Sequence, residues 1–536
     1  MKRKRRTPTL SRKIRRFLLG VGTLTLASGV LTLSAGELRA AEADTPVQLR
    51  TAVQNMLGTA EWNAAAGRVD IRSAGVAAAL KLGGTSMTLN GQSIKLDAAP
   101  YAEKGRVYVS PATLKALQGA AAAAQNRTGF ALSASFQMPS GKAEIAASTP
   151  DGQRLIVTEA DQGSIGVLNI SDIGRTSLIQ SVSFKSLSKD AEVTSVAVTP
   201  DGKYALAAVR GGDTMQLANP GFLAIVDLKT YRIAKTYPLG IGPDSIAVSP
   251  DGTYAVIAIE DEELDPKTDE FDYPNAKRPG SISVLEFAGG DALSGTLTDL
   301  PVDLSAVPGT VYPHEPQPEY VAIDPGGKLA AVTLQENNAV ALVDLAAKKV
   351  TKVFALGTTR HAADLEDDGV VSFSGTLTGR FEPDGIAFTP DGRHLITANE
   401  GDLGSNEFKD GVSAGGRGIA VWDLDGKLVY DSLNRVDAAA AAAGLYPDDR
   451  SGKKGSEVEN LTTSIVNGRS LLAVAAERAD AVLFFDIADA AKPKYLGLIP
   501  TAGKSPEGIH RVSGRDLFVS ADESTGTISF YAPTGR

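Results

Sequence analysis

The chain has 536 residues, of which 43% are hydrophobic and 22% charged, and a formal net charge of −9 at pH 7, a composition typical of a folded protein with room for two or more domains. It contains no cysteine, which excludes disulfide frameworks, thiolate metal sites and thiolate nucleophiles. The acidic balance argues against a nucleic-acid partner.

Residues 1–43 predict a secretory signal peptide. Basic residues cluster at 2–6 and 12–16, an apolar stretch follows from residue 17 to about 35, and small residues near Ala41 and Ala43 suit cleavage. The alternative is an uncleaved anchor, because the apolar stretch is near the length that spans a bilayer. No later stretch is long and apolar enough to cross a membrane. We therefore expect an exported protein, extracellular or associated with the cell envelope, without a membrane span after signal cleavage.

Residues 45–119 predict a small α+β domain. The predicted strands are residues 62–71, 77–82 and 106–109, together with a hairpin over 87–97. Asn90-Gly91 supplies the two-residue turn of that hairpin. A short helix is predicted over residues 111–117, with Pro111 at its start and Gly119 as its stop. Residues 120–129 are predicted as a linker, with a short helix over the alanine-rich residues 120–125 as the alternative.

The first domain resembles the copper amine oxidase N-terminal-like domain, which forms a stalk on many bacterial surface proteins. The residues that carry the resemblance are Trp62-Asn63, 80–84, 89–91, 94–100, 105–109 and the helix that follows. The resemblance does not imply oxidase chemistry, since such oxidases need three His ligands and a Tyr-derived quinone. This chain has four His in total and no Asn-Tyr pair, so we expect neither copper nor a quinone cofactor.

From residue 130 the chain is an array of repeats. Its Pro-Asp-Gly and similar turns lie at residues 150–152, 200–202, 250–252, 325–327 and 390–392, with weaker copies at 466–468 and 512–514. Each turn joins two apolar strands, and two further strands generally follow before the next turn. Four strands in each repeat are typical of a β-propeller blade. The predicted fold class is an all-β seven-bladed β-propeller over residues 130–536, with a small N-terminal α+β stalk domain.

The two ends of the array complement each other. The last repeat lacks a fourth strand, whereas residues 130–137 read as a strand that precedes the first repeat. An open ring would leave an unpaired strand edge. We therefore predict that residues 130–137 complete the seventh blade.

Acidic residues recur where first strands begin and where second strands end. Both positions lie on the face opposite the turns, and the first strands line the central channel, so these carboxylates should ring its mouth. The second repeat departs from the pattern, with Thr194 and Val209 at these places. The predicted metal ligands are Asp244, Glu260, Glu319, Glu336, Asp384, Glu400, Glu459, Glu477, Glu507 and Glu523.

Carboxylates this close must raise some of their pKa values, spread apart or hold a cation. Ca²⁺ is the cofactor that suits such oxygen ligands. A further Ca²⁺ loop is predicted at Asp364, Glu366 and Asp368, which alternate before Gly369 without the closing Glu of an EF-hand. The alternative is a set of solvated loop acids that bind no ion.

The propeller resembles the choice-of-anchor I domain of bacterial secreted and surface proteins. The residues that carry the resemblance are Pro318-Glu-Tyr-Val-Ala322, 334–338, 364–369, Phe381-Glu-Pro-Asp-Gly-Ile386, Thr397-Ala-Asn-Glu-Gly-Asp402, Gly415-Gly-Arg417, 454–459, Glu477-Arg478 and Ser505-Pro-Glu-Gly508. Val458 and Asn460 depart from the usual Pro and Gly of the family. The resemblance implies a surface or secreted protein, and some members of the family are labelled alkaline phosphatases.

Two classes of function follow from these features. We expect a non-catalytic secreted or surface protein that presents its propeller as a binding platform to an unknown extracellular ligand or envelope component, because no Gly-x-Ser-x-Gly or His-Glu-x-x-His motif is present. The alternative is a Ca²⁺-dependent phosphoesterase of the alkaline phosphatase type, and a third possibility is a lactonase-like propeller enzyme. The candidate catalytic residues are Glu400, Asp402, Arg417, Arg450 and Arg478.

Overall fold

The computed structural model describes residues 46–56, 58–73, 76–212, 218–261, 277–401 and 411–534. The predicted signal segment and Asp402 lie outside the described residues. No helix within the described ranges is long and apolar enough to span a membrane.

The N-terminal domain contains eight short strands and two helices among its described residues. They are β1 (Val47–Gln48), α1 (Leu49–Asn55), β2 (Thr59–Asn63), β3 (Arg68–Ser73), β4 (Val76–Leu80), β5 (Ser86–Leu89), β6 (Gln92–Lys95), β7 (Tyr101–Glu103), β8 (Arg106–Val109) and α2 (Pro111–Gln125). The strands form a three-stranded sheet in the order β1-β8-β7 and a five-stranded sheet in the order β2-β3-β4-β5-β6. Leu49 and Val53 of α1 pack with Ile71, Leu80 and Leu117 in the core.

Two sequence predictions for this domain are wrong in detail. The single strand expected over residues 62–71 is a hairpin, because Asn63 binds Asp70 through its side chain (2.8 Å) and accepts the Ala66 N–H (3.1 Å), which closes a turn between β2 and β3. The helix expected to stop at Gly119 continues to Gln125. Alanine is the strongest helix former, so the alanine-rich segment after Gly119 extends α2 rather than forming a linker.

The rest of the described chain forms four-stranded antiparallel sheets, seven in all within these ranges. Sheet 1 contains Ala146–Ser148, Arg154–Glu159, Ser164–Asn169 and Ser177–Ser183 (β10–β13). Sheet 2 contains Glu192–Val198, Tyr204–Arg210, Phe222–Asp227 and Arg232–Pro238 (β14–β17). Sheet 3 contains Pro243–Val248, Tyr254–Ile259, Ser281–Phe287 and Gly295–Pro301 (β18–β21). Sheet 4 contains Pro318–Ile323, Leu329–Leu334, Ala339–Asp344 and Lys349–Ala355 (β22–β25).

A two-stranded hairpin and a third helix interrupt the remaining sheets. The hairpin is Thr358–Ala363 with Gly375–Arg380 (β26, β27), and sheet 5 contains Ile386–Phe388, His394–Asn399, Gly418–Asp423 and Leu428–Asp431 (β28–β31). Helix α3 (Arg435–Ala443) leads to sheet 6, which contains Val458–Val466, Arg469–Ala476, Ala481–Asp486 and Lys494–Pro500 (β32–β35). Sheet 7 contains Pro506–Arg511, Phe518–Asp522 and Thr527–Pro533 (β36–β38) together with Phe130–Gln137 (β9).

The sheets form a closed ring, which makes this part of the chain a β-propeller. The first strands of successive sheets contact each other, and the first strand of sheet 7 contacts that of sheet 1. A hydrophobic cluster fills each gap between neighbouring sheets. As predicted, residues 130–137 supply the outer strand of sheet 7, where β9 pairs antiparallel with β38.

Burial along each sheet explains why the sequence reads as repeated apolar runs. The second strands, such as β19, are buried on both faces because neighbouring sheets cover them. The outer strands, such as β17, alternate between more and less exposed residues. The continuous runs therefore mark the inside of the ring, and the alternating strands mark its rim.

The Pro-Asp-Gly turns are scaffold on one face of the ring, here called the turn face. In the turn of sheet 3, Asp251 accepts hydrogen bonds from the Ser249 hydroxyl (2.6 Å) and the Thr253 N–H (3.0 Å). These bonds, led by that from Ser249, hold the pKa of Asp251 below its ordinary value. Gly252 has φ +71°, a conformation that glycine adopts without steric cost. The opposite face, where first strands begin, is called the mouth face.

The N-terminal domain packs directly on the propeller. Helix α2 contacts α3, and the side-chain amide of Gln118 donates to the Ala441 carbonyl (3.3 Å). Beyond α2, the Arg127 N–H donates to the Leu496 carbonyl of β35 (2.7 Å). Only residues 126–129 separate α2 from β9, so the two parts of the chain are joined by a short, hydrogen-bonded connection.

Candidate metal centre

An open cavity lies at the mouth face, and residues in or directly beside the strands of all seven sheets line it. The carboxylates in its lining are Glu144, Glu192, Asp244, Glu260, Glu319, Asp384, Glu400 and Glu507. Six of these eight are predicted metal ligands. The structure thus brings together acids that are far apart in sequence.

β-Bulges position many of these acids. The first strands of sheets 2, 3, 4, 6 and 7 each change register near their beginning. Asp244, Glu319, Glu459 and Glu507 lie in such bulges, and Thr194 takes the corresponding place in sheet 2. Because a bulge re-aims side chains and bends its strand, the repeated bulge turns these side chains toward the channel.

Hydrogen bonds between neighbouring sheets hold the backbone of the same positions. The Thr194 hydroxyl donates to the Asp244 carbonyl (2.6 Å), and the Thr333 hydroxyl donates to the Asp384 carbonyl (2.9 Å). The Gly385 N–H donates to the Glu459 carbonyl (3.0 Å). The mouth is therefore a preformed arrangement and not a set of independent loops.

Three groups of three carboxylates lie close enough to share a cation, among the residues that the structure describes. In each group the oxygen atoms lie within 4.8 Å of one another, and the groups are Asp384 with Glu400 and Glu459, Glu400 with Glu457 and Glu477, and Glu459 with Glu477 and Glu507. Ca²⁺–oxygen distances are about 2.4 Å, so two ligands of one ion lie at most about 4.8 Å apart. All three groups meet this limit, and the first is here called the Glu459 triad.

Glu319 adds a buried carboxylate to the cavity beside the Glu459 triad. Its side chain is only 6% exposed, and one of its oxygens, Oε2, is buried without a hydrogen-bond partner. Burial, and then the charges of Asp384 and Glu336, raise the pKa of Glu319 well above its ordinary value. A buried polar atom without a partner is costly, and a bound cation would supply that partner.

The second group differs because Glu457, which the first group does not contain, is bound by cationic side chains. Glu457 accepts hydrogen bonds from Arg450 Nε (2.8 Å) and Arg478 Nε (2.9 Å), and Lys454 Nζ donates to Glu400 Oε1. Burial alone would raise the pKa of Glu457, but Lys454 and the two arginines hold it below its ordinary value. We call these five residues and Glu477 the Glu457 cluster.

A smaller ion-pair group lies on the opposite part of the lining. Arg210, 7% exposed, contacts Asp244 (3.2 Å) and Glu260 (2.7 Å) through its guanidinium group. Arg210 ends β15, eight residues after Gly202, as Glu260 follows Gly252 and Glu400 follows Gly392. The assignment of Val209 to this position is therefore wrong by one residue, and the spacing from the turn glycine would have identified Arg210.

A family model for the choice-of-anchor I domain matches residues 144–414 and 402–490. The chain belongs to this family. A second model, for the copper amine oxidase N-terminal domain, matches residues 38–130. No curated protein matches the sequence significantly.

Solved structures similar to this choice-of-anchor I protein have low sequence identity to it. Hydrazine synthase from Kuenenia stuttgartiensis has a TM-score of 0.50 at 13% identity, over 74% of this chain and 96% of that one. The β-propeller domain of Cps50 (Swd1) from Myceliophteria thermophila has a TM-score of 0.48 at 11% identity, over 74% of this chain and 98% of that one.

The three arginines among the candidate catalytic residues have structural partners in this choice-of-anchor I propeller. Arg417 is 1% exposed and donates to the carbonyls of Asp364 (2.9 Å), Ser451 (2.8 Å) and Lys453 (2.6 Å). Arg450 and Arg478 bind Glu457 within the Glu457 cluster. Arg417 thus joins two loops of the propeller, which is a structural role.

In the predicted Ca²⁺ loop, the first carboxylate accepts a hydrogen bond from the backbone of the same loop. Asp364 accepts the Ser372 N–H (2.9 Å), and Asp448 accepts the Gly369 N–H (2.6 Å). Glu366 and Asp368 do not join Asp364 in any of the three carboxylate groups found in the described ranges. Calcium binding by this loop stays a prediction.

Sequence patterns pointed to the recurring acids but not to their counter-ions. Lys454 and Glu457 lie in the loop before β32, outside the two repeat positions that were compared. Four predicted ligands are buried but do not line the cavity, and these are Glu336, Glu459, Glu477 and Glu523. Glu192, which was not predicted, does line it. Only the folded ring shows which acids form ion pairs with lysine or arginine side chains.

Proposed function

We propose that this chain is a surface-associated β-propeller that acts as a binding platform and holds a divalent cation, Ca²⁺, at its mouth. The observation that carries the proposal is the Glu459 triad, whose oxygens lie within 4.8 Å of one another, beside the buried Oε2 of Glu319. Carboxylate oxygens are the ligands that Ca²⁺ prefers.

Electrostatic repulsion supports a bound cation at this place. Two carboxylate charges 4.8 Å apart repel by roughly 3 kcal/mol at an effective dielectric constant of about 20. Asp384, Glu400 and Glu459 are each buried, so solvent screens them weakly. A divalent ion turns this repulsion into attraction and provides a partner for the Glu319 oxygen.

The surface role rests on the family and on the N-terminal domain. The propeller belongs to the choice-of-anchor I family, and the domain before it matches the copper amine oxidase N-terminal model. The buried arginines, which bind backbone carbonyls and Glu457, favour a platform over a phosphoesterase because they are already engaged. The ligand of the platform is an extracellular molecule or a component of the cell envelope.

A calcium titration of the full chain tests the proposal. We expect Ca²⁺ to raise the midpoint of thermal unfolding. The free energy of unfolding should increase by about 2.7 kcal/mol when free Ca²⁺ is 100 times its dissociation constant. Glu319→Gln and Glu459→Gln should weaken binding measured by calorimetry at least tenfold. Glu159→Gln is the matched control, because Glu159 is equally buried but accepts hydrogen bonds from Ser164 and Ser181.

Two results would contradict the proposal. Calorimetry without detectable Ca²⁺ binding, together with an unchanged midpoint, would exclude the metal centre. Hydrolysis of an aryl phosphate that stops with chelator and with Glu400→Gln would contradict the platform and favour the phosphoesterase.

A further inference from the structure

The three carboxylate groups at the mouth are alike in spacing but not in occupancy. Glu400 belongs both to the Glu459 triad and to the group with Glu457 and Glu477. In the latter group Lys454 donates to Glu400 Oε1 and to the Gly401 carbonyl (2.6 Å). A protein ammonium group thus sits where three carboxylates could otherwise share a metal ion.

The surrounding loop fixes Lys454 in this place. Lys454 is 9% exposed, and its carbonyl accepts the Glu457 N–H (3.3 Å). Arg417 holds the same loop through the carbonyls of Ser451 and Lys453. The loop that carries Lys454 is therefore fixed by hydrogen bonds of its own backbone.

We propose that Lys454 is a tethered cation that takes the place of a second divalent ion and so limits the mouth to one. This inference rests on the proposed function, since it concerns how many ions the same centre holds. It assigns Lys454 as a residue that determines the stoichiometry of metal binding.

The charges of the same residues agree with this role. The three groups contain six carboxylates, which are Asp384, Glu400, Glu457, Glu459, Glu477 and Glu507. Lys454, Arg450 and Arg478 place three positive charges among them. Removal of Lys454 leaves one more carboxylate without a protein cation, which favours a second Ca²⁺.

The geometry of Glu400 also agrees with this role. Lys454 binds its Oε1, and the Gln335 side-chain amide donates to its Oε2 (2.9 Å). Removal of the ammonium group releases Oε1 toward Glu457 and Glu477, the two other members of its second group. A second ion would then bind between Glu400 and these residues.

The test compares the full chain with Lys454→Met and Lys454→Arg by calorimetry with Ca²⁺ and by native mass spectrometry. We expect one Ca²⁺ for the unchanged chain and for Lys454→Arg, and two for Lys454→Met. The Met variant should also unfold at a lower temperature in chelator, and Ca²⁺ should raise its midpoint by more than it raises that of the unchanged chain. Lys454→Gln serves as a second neutral variant if Lys454→Met does not fold.

Each outcome decides a different point. One ion in both the unchanged chain and Lys454→Met, with equal affinity, overturns the role of Lys454 but keeps the metal centre. No ion in the unchanged chain and one in Lys454→Met overturns the proposed function and keeps Lys454 as the resident cation. No ion in either protein overturns both the metal centre and the role of Lys454. Failure of both neutral variants to fold, with and without Ca²⁺, overturns the role of Lys454 alone.

Discussion

The Ser148 hydroxyl lies 2.9 Å from Nε2 of His510. Ser148 ends the first strand of sheet 1 and leads into a turn, so this pair joins sheets 1 and 7 near the turn face. The backbone N–H of Ser148 also donates to Nε2 of His510 (3.2 Å), which requires this nitrogen to be unprotonated.

His510 should therefore make stability depend on pH. Burial, and then the charge of Arg511, lower the pKa of His510 to about 4. His510 binds a proton near pH 6.5 in the unfolded state but only near pH 4 in the folded state. The stability that is present above pH 6.5 is therefore lost as the pH falls from 6.5 to 4. We expect a loss of up to about 3 kcal/mol, measured by urea unfolding between pH 7 and 4.

The matched comparison uses two glutamine variants. His510→Gln should flatten this part of the pH profile, whereas His314→Gln should leave it unchanged because His314 is exposed. Equal pH profiles for His510→Gln and the unchanged chain would contradict the prediction.

Ring closure should depend strongly on Phe130. Its ring stacks on Phe484 (centroids 5.6 Å apart) and meets Phe518 edge-on (5.1 Å). Phe130→Ala leaves a cavity between sheets 6 and 7 and should lower the free energy of unfolding by about 3–5 kcal/mol. Leu132→Ala, in the same strand but 38% exposed, is the control and should cost far less in urea unfolding.

Contact between the two domains should be sensitive to Gly444. This residue ends α3 with φ +72°, and a Cβ atom there would lie 2.2 Å from Gln118 Oε1 of α2. Gly468 has φ +75° with no atom within 4 Å of such a Cβ. Both alanine variants carry the backbone cost of a left-handed conformation, about 1 kcal/mol. Gly444→Ala should lose about 1 kcal/mol more in thermal unfolding, since Gln118 must give up its hydrogen bond to Ala441.

Arg417 should be important for stability. Arg417→Met leaves the buried carbonyls of Asp364, Ser451 and Lys453 without their guanidinium partner, and we expect a loss of about 3 kcal/mol. Arg393→Met is the control, because the Arg393 side chain is 80% exposed and exposed ion pairs contribute little. A loss below 1 kcal/mol for Arg417→Met in urea unfolding would contradict this role.

Much of the propeller could be predicted because its repeats carry local signals. Gly252 and its equivalents mark turns that need a positive φ, and residues 130–137 could be matched to the incomplete last repeat. The sequence prediction ends helix α2 at Gly119, whereas the good helix formers on both sides of Gly119 give it helical geometry.

The candidate site was predictable only as a recurring set of acids. Asp384, Glu400 and Glu459 come from repeats, so their alignment to the turns places them at the mouth. Lys454 lies in a connecting loop, and no period in the sequence relates it to Glu400. Which acids pair with protein cations depends on contacts between sheets, and those are fixed only when the ring forms.

The pairing of β9 with β38 has a consequence for how the propeller forms. Gln137 and Thr527 contact each other across 390 positions of the chain, so β9 is synthesised long before its partner strand. Loops of this length close slowly because contacts distant in sequence must be found by diffusion. During that interval β9 and the incomplete sheet 7 both present unpaired edges. A polypeptide released before residue 527 would keep them, and would be prone to pair with other chains.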